Sequence, residues 1–114
     1  MHELSIAQNI VSIANHEMKK NHAREVLKIE LDIGALCGIE MDCFDFVWPV
    51  ATKGSVLERT RKVVNHIDGK ARCEICNNEY KTNHFYEACP NCGSYRCEII
   101  QGRELKVKNL EISY

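Results

Sequence analysis

The chain has 114 residues, 45% hydrophobic and 27% charged, with a formal net charge of -1. That composition fits one ordinary soluble domain, or a small domain carrying a smaller one. The balanced charge gives no footprint for nucleic acid, and the apolar runs are far too short to span a membrane.

Met1-His2-Glu3-Leu4-Ser5 opens the chain without a basic region followed by an apolar core, so no secretory signal is expected. Seven cysteines in such a chain favour a reducing, cytoplasmic compartment and metal ligation over disulfides.

Leu4, Ala7, Ile10, Val11, Ala14 and Met18 recur at three- and four-residue steps and predict a helix to about Asn21. Ser5 with Gln8 suggests a capping box, with a start one turn earlier, near Glu3, as the alternative. Lys19 and Lys20 complement the dipole of the last turn. Val26 to Ile33 alternates strictly: Leu27, Ile29, Leu31 and Ile33 share one face, and Lys28, Glu30 and Asp32 share the other. This predicts a strand with one buried face.

Asp42 is expected to cap a second helix whose face carries Phe44, Val47, Trp48 and Ala51. Pro49 should kink it, and Gly54 should end it. Arg61 to Asp68 suggests a second strand, Ser94 to Ile100 a short one, and Glu104 to Tyr114 a last one. In the last strand Leu105 and Val107 are out of phase with Leu110, Ile112 and Tyr114, which predicts a β-bulge near Lys108-Asn109.

Between these strands lie Cys73-Glu74-Ile75-Cys76 and, after twelve residues, Cys89-Pro90-Asn91-Cys92-Gly93. Two C-x2-C pairs at this separation have the spacing of a tetrahedral four-cysteine zinc site. Gly93 lets the second turn close with positive φ. A redox dithiol needs only one such pair and leaves the other unexplained. A rubredoxin-like iron site shares the Cys-Pro-x-Cys-Gly knuckle and stays open as an alternative. A structural zinc site supplies roughly 10–16 kcal/mol near pH 7, enough to fold a small module with little core. Four thiolates leave no open coordination position, so a hydrolytic zinc enzyme is not expected.

The expected fold class is α+β: a two-layer domain of two helices on a three-stranded sheet, with an inserted four-cysteine zinc-ribbon module. The expected domains are residues 1–69 plus 102–114 and residues 70–101. The last strand lies beyond the zinc stretch, and a sheet without it would have only two strands.

His2 directly follows the first residue. An X-His start can chelate a metal through the α-amine, the amide nitrogen of residue 2 and the imidazole, a planar nitrogen set suited to Ni(II) or Cu(II) rather than Zn(II). A surface histidine without a role is the alternative.

Met1-His2-Glu3-Leu4-Ser5, Ile33-Gly34-Ala35-Leu36-Cys37-Gly38-Ile39-Glu40, Phe44-Asp45-Phe46, Lys53-Gly54-Ser55 and the four zinc cysteines follow in order along the whole chain. Together they resemble the HypA/HybF family, nickel-insertion proteins of nickel–iron hydrogenase maturation. The resemblance implies a nickel metallochaperone, not an enzyme. It implies labile Ni(II) at Met1, His2 and Glu3 with Glu40 close by, and structural zinc at Cys73, Cys76, Cys89 and Cys92. Its implied partners are a nickel-handling GTPase and the hydrogenase large subunit, with no nucleic acid or membrane, the chain being a monomer or homodimer.

Cys37 stands where the family usually has serine, either as a buried small residue or as an added soft ligand. Cys43 is expected in the core. The spacing of Cys97 disfavours it as a ligand, and His84 replacing one thiolate is the minor alternative. His16 and His22 are assigned no role. The competing functional reading is a zinc-ribbon module for nucleic acid or a transcription complex. It would use Lys70, Arg72, Lys81 and Arg96 with Tyr80, Phe85 and Tyr95.

Overall fold

The computed structural model describes residues 2–114. Its elements run α1 (Glu3–Lys20), β1 (Glu25–Gly34), α2 (Met41–Thr52), β2 (Arg61–Ile67), β3 (Lys70–Cys73), β4 (Glu79–Lys81), β5 (Cys97–Gln101) and β6 (Leu105–Ser113).

Helix α1 buries Ala7, Ile10, Ala14 and Met18, the centre of the expected stripe. Its N-cap is His2, with no side-chain cap bond, so the Ser5–Gln8 capping box does not form. The other end closes as a Schellman motif. His22 takes a left-handed φ of 54°, while Ala23 N–H donates to Met18 O and His22 N–H to Lys19 O. These bonds satisfy carbonyls that the helix end leaves without partners.

In β1, Ile29, Leu31 and Ile33 are buried as expected, but Leu27 is 45% exposed and Val26 only 4%. The alternation therefore breaks at its start. Thr60 Oγ1 donates to Val26 O there, bringing the loop before β2 against the strand.

Helix α2 is capped by Glu40, whose side chain accepts from Asp42 N–H at 3.2 Å. Asp42 itself lies in the first turn, so the expected cap was two residues too late. Phe44 and Trp48 are buried with ring centroids 5.5 Å apart. Lys62 Nζ lies 5.3 Å and 5.2 Å from those two centroids and 2.9 Å from Asp45. Pro49 sits inside the helix, and Gly54 follows it with φ 74°, a left-handed stop.

One sheet has the order β2-β1-β6. Arg24 N–H donates to Ser113 O, and Gly34 N–H to Glu104 O, so β6 runs antiparallel to β1. Thr60 bonds near the start of β1, and Ala35 N–H donates to Ile67 O at its end, so β2 runs parallel. A parallel pair needs a crossover, and α2 supplies it. Along β6, Leu105, Val107, Leu110 and Ile112 are all half-buried, while Lys108 and Asn109 are both exposed. The burial phase shifts where the sequence does.

The described residues fall into two compact units. The first holds the chain through Leu31, Ile39–Val64 and Val107–Tyr114, with both helices packed together. The second holds Asp32–Gly38 and Asn65–Lys106. Close glycine contacts join its segments. A Cβ on Gly34 would collide with the carbonyl of Gly102, one on Gly102 with Gly69, and one on Gly69 with the carbonyl of Thr82. Leu36 N–H to Gly102 O (2.7 Å) and Thr82 N–H to Gly69 O (2.9 Å) tie the same segments.

Within that second unit is a sheet of order β4-β3-β5, antiparallel at both joints. The short β3 and β4, not resolved individually from the sequence, build it with β5. Ala71, Cys73, Tyr80 and Cys89 form its buried cluster, with Cys76, Cys97 and Ile99 against it.

Candidate metal centre

The two cysteine pairs form two equivalent turns. Asn77 N–H donates to Cys73 O and Cys73 N–H to Asn78 O; Gly93 N–H donates to Cys89 O and Cys89 N–H to Ser94 O. Each turn closes with positive φ one residue past its second cysteine, at Asn77 (61°) and Gly93 (78°). Glycine meets that conformation freely and asparagine is among the side chains that tolerate it. Glycine at 93 marks this turn in the sequence, whereas asparagine at 77 is a weaker signal.

The turns bring the four sulfurs together, all within 4.8 Å of one another. Cys73 and Cys92 Sγ are 3.5 Å apart, and Cys76 and Cys89 Sγ 3.7 Å. A tetrahedron with Zn–S bonds of ~2.3 Å has edges of about 3.8 Å. The cluster therefore fits a tetrahedral ion with little movement. Ile75 N–H points at Cys73 Sγ (3.4 Å) and Asn91 Nδ2 at Cys76 Sγ (3.4 Å), donors that favour thiolate over thiol.

Burial opposes ionisation of Cys89, but the backbone N–H groups of Cys92 and Asn91 and the neighbouring thiols of Cys76 and Cys73 bring it down to about 6. At Cys92 the Ser94 N–H pulls downward. The side chain of Cys73, burial, and then Cys76 and Cys89 outweigh it and push Cys92 up to about 12. Crowded sulfurs cannot all carry charge without a cation between them. His84 and Cys97 are outside the sulfur cluster.

His2 is exposed, with extended backbone (φ -89°, ψ 96°). Its carbonyl accepts the first helical bond from Ile6 N–H. The amide of Glu3 thus precedes the helical ladder and has no intrahelical acceptor. Glu3 Oε2 is buried with no hydrogen-bond partner among the described residues. Met1, expected to supply the α-amine, lies outside the described residues. Glu40 is exposed at the start of α2, occupied as its cap. Among the described residues, His2, Glu3 and Glu40 do not form a side-chain metal cluster.

One cysteine expectation changes. Cys43 is exposed rather than in the core, because the buried face of α2 runs through Phe44, Trp48 and Thr52. Cys37 is half-buried, its N–H bonded to Gly34 O.

The basic face of the competing reading is also altered. Lys70 and Arg72 pair with Glu79 (3.1 and 3.4 Å), Lys81 with Asp68 (3.3 Å) and Arg96 with Glu74 (3.6 Å). Tyr80 is buried. No helix among the described residues is long and apolar enough to cross a membrane.

Fold and site together define a small α+β metal-binding protein: a helix-covered sheet plus a four-thiolate ribbon. The chain belongs to the HypA family, whose model, described as hydrogenase/urease nickel incorporation, metallochaperone, matches residues 1–112. The hydrogenase maturation factor HypA of Parabacteroides distasonis is 39% identical over 112 residues, covering 98% of this chain and 97% of that protein. That of Francisella philomiragia is 38% identical over 110 residues, covering 96% and 97%. The solution structure of the Ni metallochaperone HypA from Helicobacter pylori superposes with a TM-score of 0.70 over 99% of this chain and 98% of that one. At 23% identity that likeness is one of fold.

Proposed function

We propose that this chain binds Ni(II) at Met1, His2 and Glu3 and delivers it for maturation of nickel–iron hydrogenase, while Cys73, Cys76, Cys89 and Cys92 hold structural zinc. The observation that carries the nickel reading is the position of His2: exposed, and N-cap of α1 without a side-chain cap bond. A planar chelate needs the imidazole and adjacent amide nitrogens that can lose their protons. At a helix start those amides are not committed to the ladder, and the positive end of the helix dipole favours the deprotonated, anionic form. Glu3 Oε2, buried without a hydrogen-bond partner among the described residues, gains a counter-ion if a cation sits nearby.

A terminal site also suits delivery, because a chain end frays without unfolding the core. The zinc set is chemically distinct: four soft sulfurs at tetrahedral separations, with no open position for a substrate. The protein is accordingly a carrier rather than an enzyme, working in the cytoplasm as a monomer or homodimer with a nickel-handling GTPase and the hydrogenase large subunit. Paired cations and a buried Tyr80 weigh against the nucleic-acid module.

The test is complementation of cells lacking their own nickel-incorporation factor. This chain restores nickel-dependent hydrogenase activity, Cys43→Ser does so equally, and His2→Ala does not. Full restoration by His2→Ala refutes the proposal.

A further inference from the structure

Cys97 is left over once the four cysteines of the metal site are assigned, and its position is specific. β3 and β5 pair antiparallel with Cys73 directly opposite Cys97. Glu74 N–H donates to Arg96 O, so that neighbouring pair is hydrogen-bonded. Bonded and non-bonded pairs alternate along an antiparallel ladder, which makes Cys73/Cys97 a non-hydrogen-bonded pair. Cys73 N–H agrees, since it turns the other way, to Asn78 O.

In such pairs the Cα atoms are about 4.5 Å apart, with both side chains on one face. That lies inside the ~4.4–6.8 Å window of a disulfide. The two thiols share the apolar cluster with Ala71, Tyr80 and Cys89. Cys73 is fully buried, whereas Cys97 is half-buried.

We propose that Cys73 and Cys97 are an oxidation site: hydrogen peroxide closes a disulfide between them and removes Cys73 from the metal set. Cys97, the more accessible sulfur, attacks the peroxide. Its S–O bond forms, the O–O bond breaks and one water leaves. Cys73 thiolate then attacks the Cys97 sulfenic sulfur; the S–S bond forms and the oxygen departs as hydroxide, protonated to a second water. Two thiols are oxidised and one peroxide is reduced to two waters. The metal loses one of four ligands and is released, which rests on the four-thiolate reading above.

The experiment treats the zinc-loaded full chain, carrying Cys37→Ser and Cys43→Ser, with hydrogen peroxide. Zinc release is followed with a chromophoric chelator, and disulfides are mapped by mass spectrometry. The expected product links the Cys73 and Cys97 peptides. Cys97→Val abolishes the link and slows zinc release roughly tenfold, and thiol reductant restores zinc binding to the parent. Cys97→Ser gives the same result and controls for packing. Release as fast in both variants, or a disulfide confined to the four ligands, overturns the proposal. Zinc content before oxidation is measured separately: a chain without zinc refutes the metal reading, while disulfide mapping still decides the role of Cys97.

Discussion

Gly34 lies against Gly102 so closely that the first has no room for a Cβ beneath the carbonyl of the second. The contact is backbone on backbone, reinforced by Gly34 N–H to Glu104 O and Leu36 N–H to Gly102 O, each 2.7 Å. Gly34→Ala must therefore move main chain rather than a flexible side chain. We expect a loss of roughly 3 kcal/mol or more, at the high end for overpacking, read from the denaturation midpoint. Gly54, whose Cβ direction is open space although φ is 74°, supplies the contrast. Gly54→Ala should cost only about 1 kcal/mol, from the left-handed backbone alone.

Glu40 caps α2, and a second role beside the proposed nickel site is what the family resemblance implies for it. These roles separate by substitution. Glu40→Ala removes the bond to Asp42 N–H and should cost about 1 kcal/mol in thermal or denaturant unfolding. Glu40→Asn retains a capping side chain without charge and should keep stability within a few tenths of a kcal/mol. A nickel affinity that falls equally in both variants assigns Glu40 a role beyond the cap.

The four-cysteine site links metal uptake to protons. Cys89, lowered to about 6, is ionised at neutral pH, whereas Cys92, raised to about 12, keeps its proton until a cation arrives. Zinc binding at pH 7 should release fewer than four protons, and one more as pH falls through about 6. Affinity therefore rises with pH. Calorimetry in buffers of different ionisation enthalpy counts the protons; four released at pH 7 would contradict this assignment.

Cys73→Ser removes a fully buried ligand, and Cys92→Ser an exposed one. Both should lose zinc. Loss of zinc should loosen the β4-β3-β5 sheet in both, and more in Cys73→Ser, because Cys73 also belongs to its buried cluster. Hydrogen exchange of the β3 amides after zinc removal measures the difference.

Much of this was readable from the residues. The α1 stripe, the Ile29-Leu31-Ile33 alternation and the phase slip in β6 are patterns that burial imposes locally, and each appears in the structure. The cysteine spacing was equally legible, because a turn of fixed size leaves little freedom to place two sulfurs. What escaped depends on partners distant in sequence. Leu27 is exposed and Val26 buried because the Thr60 loop meets β1 there, and periodicity carries no record of that loop. Asp42 and Glu40 are both competent caps, and only the backbone path decides between them. The contacts of Gly102 with Gly34 and Gly69 join residues more than thirty positions apart, and Cys97 gained its meaning only when β5 paired with β3.

The proposed nickel site depends on a free amine next to His2, so the most direct measurement is a nickel titration of the zinc-loaded protein. It compares the parent with His2→Ala and with a chain carrying one extra residue before Met1. A single Ni(II) per parent chain is expected, with the absorption of a planar nitrogen complex that weakens on acidification as the amine and amides regain protons. Both variants should lose that complex and keep their zinc. Unchanged nickel binding in the two variants would contradict it.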